Sequence, residues 1–354
     1  MARPKVRISR RQAMALKYRP LYEAADLIKE LAPWQWMEED DIFGVQDPET
    51  GEIGFVSVMG TLGEHLCISV YLGVDAIYQF WMLQDIADSV DELETASRLL
   101  MIPQMQASFE NRDMVEKEDA GIMRKLKLKY RGPNAFPIFR SIQPGCLPWF
   151  LDMDQIPFLT HVLQQTLNVA SRYEEDKSLL WPDDVGDDDM YLLRVPSEQD
   201  GEIIWRDEIS PIPAPVLHKI SLDLDMAAYK ALQDVPRVGN SVEIDLVMLL
   251  SPVEGRRGKR PYFPFTLLIV DADSGMILSH DLLSPLPSLD DMYRKVPQKV
   301  IDLLLSNNML PYEIHTQSHV LTTLLSPLFK ELDTPVVERP SLPMVNEAKA
   351  AMFK

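Results

Sequence analysis

Cysteine is scarce in this chain: 354 residues contain two, Cys67 and Cys146. That excludes a disulfide framework and a cysteine-rich zinc site, and fits a reducing cytoplasmic location. No apolar run reaches the length of about 18 residues that a membrane span needs, so no membrane partner is expected. The opening M-A-R-P-K-V-R-I-S-R-R is positively charged but has no apolar stretch behind it, which excludes a secretory signal. The patterns G-x-x-x-x-G-K-[ST], G-x-G-x-x-G, G-x-S-x-G and H-E-x-x-H are missing. With them go the phosphate loop, the dinucleotide fold, the serine-hydrolase elbow and the zincin helix. The six histidines (His65, His161, His218, His280, His315 and His319) do not pair at helical ligand spacing. Internal repeats are absent.

What is there is an ordinary globular composition, 46% hydrophobic and 25% charged, at a length that suggests two domains. The net charge of −19 is uneven. Met1 to Arg19 carries seven Lys/Arg and no acid, and Pro20 to Pro215 carries 14 basic against 37 acidic residues. Val216 onward is near balance, with 14 against 17. Such an acidic body repels phosphate backbones, so nucleic acid is a disfavoured partner.

The expected organisation is a basic segment over 1–19, a mixed α+β domain over 20–173, an acidic, Pro-rich connection over 174–215 and a second domain over 216–354. Apolar residues at three- and four-residue steps predict a helix over Arg11 to Leu31, broken near Pro20, and further helices over Val74 to Leu100, Asp113 to Lys127 and Asp154 to Tyr173. Ile53 to Met59 and His65 to Leu72 predict a β-hairpin around M-G-T-L-G-E-H. Lys129 to Leu151, with four prolines and five aromatics, predicts a stiff loop laid over the core with its aromatics inward. A groove that stacks bases beside Arg131 and Arg140 is the other reading of it. Glu174 to Glu208 has 13 acidic and three basic residues; a solvated connection or an edge hairpin (Tyr191 to Val195, Glu202 to Arg206) is expected, with the boundary in Ser210 to Pro215.

The second half predicts strands at Val216–Leu222, Val242–Leu250, Phe263–Val270, Met276–Leu283, Tyr312–Thr316 and Pro335–Glu338. Helices are expected at Met226–Gln233, Ser288–Ser306 with a kink at Pro297, Ser318–Leu332 and Val345–Phe353. From Val242 the order is βββαβαβα, three antiparallel strands followed by units that need parallel crossovers. On L-I-V-D-A-D-S-G-M-I-L-S-H, L-P-Y-E-I-H-T-Q-S-H-V and R-P-S-L-P-M-V-N-E-A-K-A-A-M, taken in that order, this half resembles the integrase/transposase core of the RNase H-like superfamily.

The resemblance implies a site where carboxylates of the first strand, the fourth strand and the last helix hold two divalent cations against a phosphodiester. Asp245 matches the first-strand Asp and Glu347 the helix Glu. The fourth-strand position falls on Gln317, whose amide brings no charge. Glu313 shares a strand face with it but lies about 13 Å earlier. His315 is on that face too and suits a softer metal. The expected product is a degenerate core that binds without catalysis and without a cofactor. The alternative is a Mg- or Mn-dependent nuclease or transposase-like enzyme built on Asp245 and Glu347. Asp271 and Asp273 read as turn residues. Arg256, Arg257, Lys259 and Arg260 form the basic loop in this domain with a phosphate-binding look; a bare solvated hairpin tip is the expected reading of it.

The first half, through M-G-x-x-G-E-H, V-Y-L-G, R-G-x-x-x-F-P-x-F-R and P-G-x-x-P-W, resembles an N-terminal domain of bacterial proteins of unknown function. That likeness implies no activity. Glu64 and His65 are its acid–base candidates, or else a turn-stabilising pair.

Overall fold

The computed structural model describes residues 10–86, 92–181, 190–215, 220–255 and 258–352. The chain divides into two compact units, Met1–Gln143 with Pro148–Val216, and Leu217–Lys354 with Pro144–Leu147. Among the described residues no helix is long and apolar enough to cross a membrane.

The first unit contains α1 (Arg10–Lys17), α2 (Arg19–Leu31), β1 (Phe43–Gln46), β2 (Ile53–Met59), β3 (Cys67–Leu72), α3 (Val74–Ile86), α4 (Glu92–Leu99), β4 (Gln104–Glu110), α5 (Lys117–Leu126), β5 (Phe136–Ile142), α6 (Gln155–Glu175), β6 (Met190–Gln199) and β7 (Glu202–Pro211). Its seven strands are ordered β5-β4-β3-β2-β1-β6-β7. All neighbours are antiparallel except β1 and β6, which run parallel with Gly44 beside Leu193. Alternation along the strands sorts two apolar faces. Val56, Val58, Ile68 and Val70 join the large core with α2 and α6. Phe55 and Tyr71 point the other way, into a smaller cluster with Ala76, Ile77 and Phe80 of α3.

Three expectations change here. The 129–151 segment is not all loop, since Phe136–Ile142 pairs with β4 along its whole length. Pro137 is tolerated because β5 ends the sheet, where a missing N–H on the outer side breaks no bond to another strand of the sheet. Its aromatics Phe136 and Phe139 do turn inward. The 174–215 stretch is not a mere connection: β6 and β7 pair over their full length, and β6 lies against β1. Acidic side chains are compatible with a strand that carries them on its solvent side, so charge density concealed the hairpin's length. Part of the 1–19 segment is folded, with Ala15 and Tyr18 buried in the core.

The second unit contains α7 (Met226–Gln233), β8 (Val242–Met248), β9 (Phe265–Asp271), β10 (Ile277–Leu283), α8 (Leu289–Tyr293), α9 (Val296–Ser306), β11 (Ile314–Thr316), α10 (His319–Lys330), β12 (Val336–Glu338) and α11 (Pro343–Met352). The sheet runs β10-β9-β8-β11-β12. β8, β9 and β10 are antiparallel neighbours, while β11 lies parallel to both β8 and β12. The helix expected over Ser288–Ser306 is two pieces; Pro297 sits in the first turn of α9, where its missing N–H is needed by no bond. The strand expected over Val216–Leu222 falls partly outside the described residues, and Ile220–Leu222 are not strand. α11 packs on β9 and β8, with Leu342, Val345 and Ala348 against Val270.

Candidate functional site

The acidic pair of β8 is produced by its alternation. In V-E-I-D-L, Val242 and Ile244 are fully buried on one face, which sends Glu243 and Asp245 to the other, toward α11. Each acid is then claimed by that helix. The Val345 N–H donates to Glu243 Oε2 at 2.8 Å. Val345 lies in the first turn of α11, so Glu243 satisfies one of the amides that a helix start leaves open and places a negative charge at the positive end of its dipole. One turn on, Lys349 Nζ donates to Asp245 Oδ2 at 2.7 Å, with the carboxylate only 13% exposed. The other oxygen of Asp245 accepts from the Leu246 N–H.

Glu347 stands two residues before Lys349, roughly 160° away round the helix, and is exposed. Gln317, one residue past β11, donates its amide to the Pro340 carbonyl at 3.0 Å. On β11, His315 lies in register with Glu243. Its Nε2 meets Glu313 Oε2 at 2.6 Å, and Arg339 donates to the same oxygen at 3.3 Å. Asp245, Gln317 and Glu347 thus have three different surroundings: an ammonium, a backbone carbonyl and solvent. Among the described residues no group of three His, Cys, Asp or Glu is placed to hold a metal ion, so the side chains present do not fit the two-cation site that the fold resemblance implies.

Asp271 is a turn residue. It accepts from the Asp273 and Ser274 N–H groups, from the Ser274 hydroxyl and from the Asn240 amide, and these bonds push its carboxyl down to about 2. Arg256 and Arg257 of the basic loop lie outside the described residues; Lys259 is exposed and Arg260 half-buried.

In the first unit the β2–β3 hairpin turns at Gly60 and Gly63, both at positive φ, which glycine adopts without strain. Beside the tip is an open cavity of about 160 Å³ lined by Glu39, Met59, Leu62, Glu64 and His65. His65 Nδ1 faces Glu110 at 3.8 Å, whereas Glu64 is exposed. Burial pushes the Glu39 carboxyl up; Asp40 adds to this and His65 opposes it. The Arg131–Arg140 stretch has internal partners: Arg140 binds Asp119 at 2.8 Å and Glu116 at 3.0 Å and covers the Phe150 ring.

Sequence reasoning pointed to Asp245, Gln317, Glu347 and His65. It passed over Lys349, Glu243, Arg339 and Glu110. The signals for the first two were present: E-I-D on one strand, and Val345 and Lys349 four apart on one helix face. What they would meet was not, because it depends on how α11 crosses the sheet.

Residues 18–194, half of the 354-residue chain, match the family model described as Domain of unknown function (DUF7309). Residues 228–353 match the one described as Domain of unknown function (DUF6930). No curated protein and no solved structure matches the chain.

Proposed function

We propose, for a chain that belongs to the DUF7309 family and carries a DUF6930 domain over residues 228–353, that the second unit is a degenerate RNase H-like module acting by binding rather than by phosphodiester cleavage. The order β10-β9-β8-β11-β12, with three antiparallel strands and two parallel additions, supports the fold assignment. The observation that carries the functional reading is the Lys349–Asp245 contact at 2.7 Å. A carboxylate that holds a catalytic cation must be free to give it its lone pairs. Here an ammonium on the packed helix already neutralises the strand acid, and the fourth-strand position is an amide turned to a carbonyl. Asp245 is spent on fixing α11 to the sheet, and Gln317 on the Pro340 carbonyl.

The purified protein is expected to cleave neither single- nor double-stranded DNA or RNA in Mg²⁺ or Mn²⁺, and its melting temperature is expected not to move on Mn²⁺ titration. Metal-dependent cleavage that vanishes in Asp245→Asn would replace this reading with the nuclease one. The net charge of −19 further predicts no binding of duplex DNA at moderate salt.

A further inference from the structure

β7 closes the first sheet on one side, paired to β6 and with no strand beyond it among the described residues. It is ten residues long, and Ile203, Ile204 and Ile209 are each more than 40% exposed. Short length, charged side chains (Lys above all), proline and bulges are the usual means of keeping a sheet edge from pairing. The run E-I-I-W-R-D-E-I-S-P is long, has no Lys and no bulge, keeps its proline to the last position, and carries charges of both signs at Glu202, Arg206, Asp207 and Glu208.

Two prolines fix which backbone groups are free. In the β6–β7 ladder Pro196 lies opposite Trp205, and Pro211 opposite Met190. Proline has no N–H, so both pairs belong to the class that exchanges no hydrogen bonds. That class recurs every second residue. Ile203, Trp205, Asp207 and Ile209 therefore turn their N–H and C=O groups away from β6, toward the open edge. The hydroxyl of Ser197 donating to the Ile204 carbonyl agrees, since Ile204 belongs to the set facing β6.

We infer that this edge pairs with the same edge of a second copy of the chain, antiparallel and centred on Asp207. Strand residues opposite one another across a two-fold axis must share a sheet face, so such a register is centred on a residue, not between two. Centred on Arg206, it would set that arginine against its own copy. Centred on Asp207, it sets Arg206 opposite the copy's Glu208 and Trp205 opposite its Ile209, each twice by symmetry. The outward groups of Trp205, Asp207 and Ile209 all find partners. The two Asp207 carboxylates at the axis are already held, each by Arg172 and Arg194, so the centre of the contact carries no unneutralised acid. Main-chain bonds supply affinity and the cross-strand pairs supply register.

Sedimentation velocity over roughly 1–100 µM at physiological salt, where the repulsion between two acidic chains is screened, is expected to show one chain passing to two. Ile209→Pro removes one outward N–H and no bond to β6, so the melting temperature should hold while association is lost. Glu208→Arg should weaken it at least about tenfold, and Arg206→Glu with Glu208→Arg should restore it. Amide exchange at Trp205, Asp207 and Ile209 should slow with concentration in the wild type only. A chain that stays monomeric throughout, a dimer indifferent to Ile209→Pro, or a charge swap that fails to rescue would each overturn the inference.

Discussion

The two sheets share a device and use it differently. Each contains one junction where an antiparallel strand acquires a parallel neighbour: β1 beside β6, and β8 beside β11. At the first junction the facing residues are Gly44 with Leu193 and Val45 with the buried Arg194, and a Cβ on Gly44 would run into the Leu193 side chain. At the second they include Glu243 and His315. Open sheets place their ligand crevices where strand order reverses in this way. The first unit has filled its junction with a leucine. The second keeps acids there and covers them with α11, which takes Glu243 with an amide and Asp245 with an ammonium. The Gly44 position is closed by volume, the Glu243 and Asp245 positions by an amide and an ammonium.

The strongest way to break that contrast is to add volume where there is none to spare. Gly44→Val should destabilise the first unit by about 3 kcal/mol, since a side chain at the centre of the sheet must displace Leu193 or spread β1 from β6. Calorimetry should show the loss, and hydrogen exchange should place it in β1, β2 and β6, with β8 to β10 unaffected.

The same contrast explains what could be read from sequence. The second sheet was legible because its junction is local: β8 to β12 follow within about 100 residues, alternate with helices from β10 onward, and carry two-residue alternation in Val242–Leu246 and a continuous apolar run in Phe265–Val270. In the first sheet, β1 meets a strand that begins at Met190, after four further strands and four helices. Nothing in F-G-V-Q announces that partner, and the four-residue strand is too short to show a period. Gln104–Glu110 went unread as a strand although Met105, Ala107 and Phe109 alternate into the large core; its other face carries Gln104, Gln106 and Ser108, with Gln104 fully buried. At the site, Asp245 and Gln317 were singled out through the resemblance of the second half to an integrase core. Lys349 was not, because a lysine on an exposed-looking helix reveals its partner only once the packed face is known.

A smaller effect should come from emptying the charge-closed junction. Glu243→Ala leaves the Val345 N–H buried without its acceptor and should cost about 2 kcal/mol, read in the second unit. Glu243→Gln keeps an acceptor oxygen but loses the charge at the helix start, and about 1 kcal/mol is expected. A Gln variant as unstable as the Ala variant would mean that charge, not the hydrogen bond, holds α11.

The smallest expected effect separates the two units by acid and salt. Asp271, at the end of β9, has its carboxyl pushed down from 3.8 to about 2 by neutral donors, first Asn240 and then Ser274. Protons therefore bind the unfolded chain first. Its contribution is complete above about pH 4 and drains away as pH falls toward 2. In the first unit the Asp207 carboxyl is also lowered, chiefly by Arg172 and then, against burial, by Arg194. It too is lost on acidification, but its partners are cations and salt screens them. Asp271→Asn should remove about 1 kcal/mol from the second unit at neutral pH and nothing near pH 2, equally at low and high salt. Asp207→Asn should destabilise the first unit at neutral pH by an amount that shrinks as salt rises. If both acid limbs respond to salt alike, the distinction between Asp207, held by cations, and Asp271, held by neutral donors, does not describe how these two carboxylates resist acid.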